Sequence, residues 1–129
     1  MGRHKREVYT CCDDDVTLRG YEMLAGEIVA RSVTDFNASL NYLYANLVQT
    51  PKRKGSLIYS NISKFRETQA FLTSDWCDTL CTLALKETCK KNQVFEICVK
   101  KFDKVHGIGA YQVTRDMVTK TEKIKGGRV

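Results

Sequence analysis

Val94-Phe95-Glu96-Ile97-Cys98-Val99-Lys100 is the stretch that sets the fold class. Phe95, Ile97 and Val99 alternate with Glu96, Cys98 and Lys100, a period of two that predicts a strand with one buried face. Gly107-Ile108-Gly109 reads as a turn, and beyond it Tyr111 and Val113 alternate with Gln112 and Thr114, which completes a predicted antiparallel hairpin. The chain upstream has a different period. The predicted class is therefore α+β, mainly α, with antiparallel helices from about residue 17 to 90 followed by a small β-hairpin.

The helical reading upstream rests on apolar residues at Tyr21, Leu24, Ile28, Val33, Phe36, Leu40, Leu43 and Leu47, in steps of three to five. A continuous helix from Thr17 to Val48 would measure about 48 Å at about 1.5 Å per residue, more than a small domain usually spans. Gly20 and Gly26 are accordingly expected to bend or break its first third. The segment Gln49 to Ser56 holds the only proline, a glycine and three cations, and predicts a loop. Leu57, Ile58, Ile62, Phe65 and Ala70-Phe71-Leu72 form a second stripe that would pack antiparallel on the first. Thr73 or Ser74, followed by Asp75, predicts the N-cap of a third helix. Its inner side is expected to carry Trp76, Leu80, Leu83 and Ala84, with Trp76 largely buried.

A chain of 129 residues with 43% apolar residues suits one domain, 1–129, with loose ends at about 1–7 and 120–129. No apolar run approaches the roughly 20 residues that cross a bilayer. The basic Met1-Gly2-Arg3-His4-Lys5-Arg6 is not followed by the apolar stretch of a signal peptide, so a cytoplasmic location is expected. Asn37-Ala38-Ser39 and Asn61-Ile62-Ser63 then match the glycosylation pattern only by chance. Six cysteines in a reducing compartment are expected as free thiols or metal ligands.

Cys77 and Cys81 stand four apart on the predicted third helix, a spacing from which two thiolates can reach one zinc ion. Cys89 and Cys98 would complete a four-thiolate set, although the spacing matches no strong zinc signature. The plainer reading makes each a small buried apolar residue. Nucleophilic catalysis needs a base held by a third group, and the imidazoles available are His4, near the amino end, and His106, read as an exposed loop residue. Asp13-Asp14-Asp15 lacks the spaced oxygen ligands of a cation loop, and Gly107-Ile108-Gly109 lacks the following glycine and helix of a phosphate cradle. The expectation is a protein that is not an enzyme.

The net charge is +6, and the residues from Lys86 to Lys104 include six lysines against three acids. Lys86, Lys90, Lys91, Lys100, Lys101, Lys104 and Arg115, with Tyr111, are the candidate partner-binding residues. Cations beside the rings of Tyr111 and Phe102 would also suit nucleic acid, interrupted by Glu96, Asp103 and Asp116.

Gly26-Glu27-Ile28-Val29-Ala30-Arg31-Ser32-Val33-Thr34-Asp35-Phe36-Asn37-Ala38-Ser39-Leu40, followed by Phe71-Leu72-Thr73-Ser74-Asp75-Trp76-Cys77-Asp78-Thr79-Leu80-Cys81, resembles small uncharacterised proteins of phages and prophages of Gram-positive bacteria. Those proteins pair a helix of the type Ile-Val-x-x-Ala-Val-x-Asp-Tyr-x-x-Ala-Leu with a later Phe-Phe-x-Ser-x-Trp-Phe-x-x-Leu-Thr. The resemblance covers roughly residues 20 to 85. The sequence departs from it at Cys77, where an aromatic is usual, at Cys81, where threonine is usual, and after residue 90. What the resemblance implies is a non-enzymatic phage protein that docks on a host macromolecule such as a CRISPR effector nuclease, as anti-CRISPR inhibitors do. A small basic nucleic-acid-binding regulator is the alternative.

Overall fold

The computed structural model describes residues 14–50 and 56–127, with side chains described over 17–50 and 56–123. His4, Cys11-Cys12, Asp13, the amino end at 1–7 and the part of the predicted loop at 51–55 lie outside the described residues. Five α-helices follow one another: α1 (Asp14–Leu43), continued by a wider π-helical turn (Tyr44–Gln49), α2 (Ser56–Leu72), α3 (Asp75–Leu85), α4 (Gln93–His106) and α5 (Ala110–Gly127). There is no strand among the described residues, so the chain is all-helical there and the α+β class with its β-hairpin is corrected. No described helix is long and apolar enough to cross a membrane.

The hairpin fails because residues counted as its polar partners are core residues of a helix. On α4, Cys98 and Phe102 are buried, and Val94, Phe95, Val99 and His106 are half-buried on the same side. Their spacing is that of a helix stripe once Cys98 and His106 are counted as inward-facing. On α5 the buried positions after Ala110 are Tyr111, Thr114, Val118 and Thr121, the last three at steps of three and four from Tyr111. The threonines conceal this pattern in sequence. Each satisfies its hydroxyl against its own helix, Thr114 Oγ1 donating to Ala110 O at 2.8 Å and Thr121 Oγ1 to Met117 O at 2.8 Å, which leaves the methyl group for the core.

Gly107-Ile108-Gly109 joins two helices instead of two strands. Gly107 (φ 114°) and Gly109 (φ 85°) adopt positive φ, where a side chain would be strained. Asp103 fixes the corner from both sides: its carbonyl accepts the Gly107 N–H at 2.7 Å, and its carboxylate accepts the Tyr111 N–H at 2.9 Å in the first turn of α5.

The length of α1 has a tertiary explanation. It packs against every other helix, most extensively α2 and α3, which lie one after the other along it. The Phe65 ring of α2 stacks on Phe36 with centroids 5.6 Å apart, whereas the end of α3 reaches the start of α1, where Lys86 pairs with Glu22 at 3.4 Å. Gly26 faces Ala84 there, and neither Gly20 nor Gly26 interrupts the helix. Ser74 caps α3 by accepting the Cys77 N–H at 3.2 Å. The buried side of α3 is Cys77, Leu80 and Cys81, which turns Trp76 outward to 60% exposure and corrects the expected burial of that residue.

Two residues near the end of α5 have tertiary partners. Thr121 is buried, and Glu122 pairs with Arg66 of α2 at 2.8 Å. Arg66 Nη1 donates to Gln69 Oε1 at 3.0 Å, and Gln69 Nε2 donates to the Tyr111 hydroxyl at 2.8 Å. The Glu122 hydrogen bond, opposed by partial burial and aided by the carboxylate's charge, holds the Arg66 guanidinium above its ordinary pKa.

Phe36→Ala is expected to lower stability by about 3–5 kcal/mol, and Trp76→Ala by under about 1 kcal/mol, in urea titrations followed by circular dichroism. Equal losses at the two sites would refute the placement of the core. In the same assay Asp103→Ala is expected to cost about 1–2 kcal/mol through loss of the cap on α5.

Candidate binding face on the fourth helix

Burying one side of α4 leaves the other with a particular composition. Ile97, Lys100, Lys101, Lys104 and Val105 all face solvent, and Ile108 follows in the connection to α5. Val105 is 75% exposed and Ile108 fully so, which places apolar side chains among three cations that form no ion pair among the described residues. An apolar cluster interleaved with charge on one helix face is the composition of a docking surface.

A concavity lies on each side of this face. One, of about 390 Å³, is lined by Lys90, Gln93, Glu96, Ile97 and Lys100. The other, of about 190 Å³, runs between α1 and α4 and includes Asn37, Asn41, Lys101, Phe102, Val105 and His106.

The structure divides the candidate partner residues. Lys100, Lys101 and Lys104 are together on α4, and Arg115 is exposed on α5. Lys86 is engaged with Glu22, and Lys91 with Asp75 at 3.2 Å, so both serve to tie the 86–92 connection to neighbouring helices. Lys90 is exposed at the end of that connection, its N–H held by Gln93 Oε1 at 2.9 Å. Tyr111 is 6% exposed, with its ring against Phe95 at 5.8 Å and Phe36 at 6.4 Å. Burial raises its phenol pKa, against the opposing effects of Gln69 and the nearby arginines. It is a core residue, and the surface role expected for it is corrected. Phe102 is buried as well.

His106 is also misread by sequence. It ends α4 half-buried, with its ring 4.4 Å from that of Tyr44 and 4.5 Å from that of Phe102, centroid to centroid. Its Nε2 lies 3.3 Å from Asn41 Oδ1. An amide oxygen only accepts, so Nε2 carries the hydrogen in this pair. The sequence gives a signal for this placement only when the stripe Cys98, Phe102, His106 is read at a spacing of four.

The four cysteines do not assemble as one zinc set. Cys77 and Cys81 lie one turn apart in the core side of α3, and Cys89 returns towards them through its N–H to Thr82 Oγ1 at 3.3 Å. Cys98 is on α4 beside Lys101, outside that group. All four are free thiols, and among the described residues no group of three or more His, Cys, Asp or Glu is arranged to hold a metal ion. Burial, followed by the neighbouring Cys81, pushes the Cys77 thiol up to about 12, and burial also raises Cys81 and Cys98. These environments favour the protonated thiol, which is a poor nucleophile.

No protein-family model, curated protein or solved structure matches the chain.

Iodoacetamide at about pH 8 is expected to label Cys89 in the folded protein, with Cys77, Cys81 and Cys98 labelled only after unfolding, as read by peptide mass spectrometry. Rapid native labelling of Cys77 would contradict its burial. Because Cys77 keeps its proton to about 12 in the folded chain and ordinarily releases it near 9.0, the folded state binds more protons within that window. Stability contributed by this site is present below about pH 9 and declines as pH rises towards 12, so Cys77→Ala is expected to flatten the alkaline fall of Tm.

Proposed function

We propose that this chain is a non-enzymatic binding protein that docks through the outer face of α4 onto an acidic surface of a partner protein. The partner class is a bacterial defence nuclease, and the mode is that of a phage-encoded anti-CRISPR inhibitor acting in the host cytoplasm. The observation that carries the docking mode is the exposed set Ile97, Val105 and Ile108 interleaved with Lys100, Lys101 and Lys104. Such a face combines two separable contributions: apolar burial supports residence, and the lysines steer encounter with negative potential. The nuclease partner class rests on the resemblance to phage proteins, and an acidic groove of the nuclease is the complementary surface for these cations.

The nucleic-acid reading loses part of its basis at the same residues. Tyr111 and Phe102, the rings expected to stack on bases beside the lysines, are both buried. Cations alone attract phosphate without the stacking platform that single-strand binders use.

The experiment measures binding to purified RNA-guided bacterial nucleases and inhibition of their DNA cleavage. Lys100→Glu, Lys101→Glu and Lys104→Glu combined are expected to weaken binding by at least tenfold, or about 1.4 kcal/mol, with Tm nearly unchanged because the three side chains are exposed. Full binding by the triple variant would overturn the assignment to α4. Binding to an oligonucleotide alone, with affinity falling steeply as salt rises, would replace inhibition with the regulator reading.

A further inference from the structure

The concavity between α1 and α4 has a different character from the open face of lysines beside it. Its polar lining is Asn37 and Asn41, one turn apart on α1, with Lys101 and His106 from α4. These are two amides, an ammonium and an imidazole, with no carboxylate among the lining residues. Every one of these side chains can donate a hydrogen bond, and the lysine adds positive charge. Phe102 and Val105 provide the apolar wall.

The arrangement is held in place by packing. The His106 ring rests against Tyr44 and Phe102, and its Nε2–H donates to Asn41 Oδ1 at 3.3 Å. That bond uses the amide oxygen of Asn41 and leaves its amide nitrogen free to donate to a ligand. Asn37 is half-buried and adds a second amide to the same wall. At about 190 Å³ the concavity is smaller than the range of about 300–1,000 Å³ usual for independent small-molecule sites. Its volume suits one side chain presented by a larger molecule.

We propose that this concavity is a socket for a carboxylate side chain, Glu or Asp, of an acidic protein segment. The methylene stem of glutamate would lie on Phe102 and Val105 while the carboxylate meets the Asn37 and Asn41 amides and the Lys101 ammonium. A phosphodiester is the poorer occupant, since it brings a sugar and base for which the walls offer no free ring: those of Phe102, His106 and Tyr44 are packed on one another. The socket deepens the docking reading of α4 and rests on it for its biological partner, since it supplies a directional contact beside a face that otherwise binds by charge and apolar area.

The test uses a hexaglutamate peptide on the full chain, with hexaglutamine, inorganic phosphate and a six-nucleotide oligothymidylate as comparisons. Saturable shifts of the Asn37 and Asn41 side-chain amide signals and of the His106 ring signals in nuclear magnetic resonance spectra are expected with hexaglutamate, and none with hexaglutamine. Asn41→Leu and Lys101→Met are each expected to weaken hexaglutamate at least about fivefold, as loss of a hydrogen bond to a charged group does, with Tm unchanged for the exposed Lys101. Shifts confined to the backbone of α4, or larger shifts with phosphate or oligothymidylate than with hexaglutamate, would overturn the carboxylate assignment. In the nuclease-binding assay, loss of binding on charge reversal at Lys100 and Lys104 with no effect of Asn41→Leu would reject the socket and leave the docking face standing. Hexaglutamate seated at Asn37 and Asn41 in a chain that binds no nuclease would instead retain the socket and reject the proposed partner.

Discussion

The ring of Phe36 holds four helices in register. From α1 it stacks on Phe65 of α2 at 5.6 Å, meets Phe95 of α4 edge-on at 5.7 Å, and approaches Tyr111 of α5 at 6.4 Å. Aromatic pairs at these separations contribute area burial and a preferred ring geometry together, so the contact both stabilises and orients. Removing Phe36 would withdraw the shared partner of three rings at once. The position of α4, and with it the direction in which its lysines point, is therefore set in the core and not at the surface. The Arg66–Glu122–Gln69–Tyr111 network on the far side of the same rings ties α2 to α5 and gives Tyr111 its polar partner.

Around that cluster the interior is lined with small side chains: Ser39, Cys77, Cys81, Cys98, Ala110, Thr114 and Thr121. Their size lets helices approach closely, and the hydroxyls avoid the cost of burial by bonding to carbonyls of their own helices, as Ser39 does to Phe36 O at 3.0 Å. Thiols have no comparable need, and burial keeps them protonated. The same environment that makes Cys77 and Cys81 suitable core residues thus makes them poor nucleophiles.

The binding face follows from this economy of inward positions. Val94, Phe95, Cys98, Val99, Phe102 and His106 take the inward side of α4, so Ile97 and Val105 have no inward place and stand among lysines. Asp103 shows a related division: its carboxylate faces the start of α5 and is spent on capping, so it subtracts less from the cationic face than its place in the sequence implies. Next to that face, the packing of His106 on Tyr44 and Phe102 orients Asn41 and creates a concavity with donors on both walls.

By itself the sequence determined the first three helices, a cap at Thr73 or Ser74, the cationic character of the region from Lys86 to Lys104 and the lack of a membrane-crossing helix among the described residues. Long apolar periodicity and a side-chain cap are local signals, and local signals survive reading one chain at a time. The fate of α4 and α5 was not legible, because Cys98, His106, Thr114 and Thr121 count as polar or reactive until neighbours are seen to cover them. With those residues set outside, Phe95, Ile97 and Val99 mimic a strand; with them inside, the same letters make an amphipathic helix. Trp76 erred in the opposite direction, since its stripe with Leu80, Leu83 and Ala84 suggested burial while Cys77 and Cys81 had taken the inner side of α3. Only the tertiary structure decided which small residues met the core, because the burial of a thiol or a threonine depends on what lies opposite it and not on its own hydropathy.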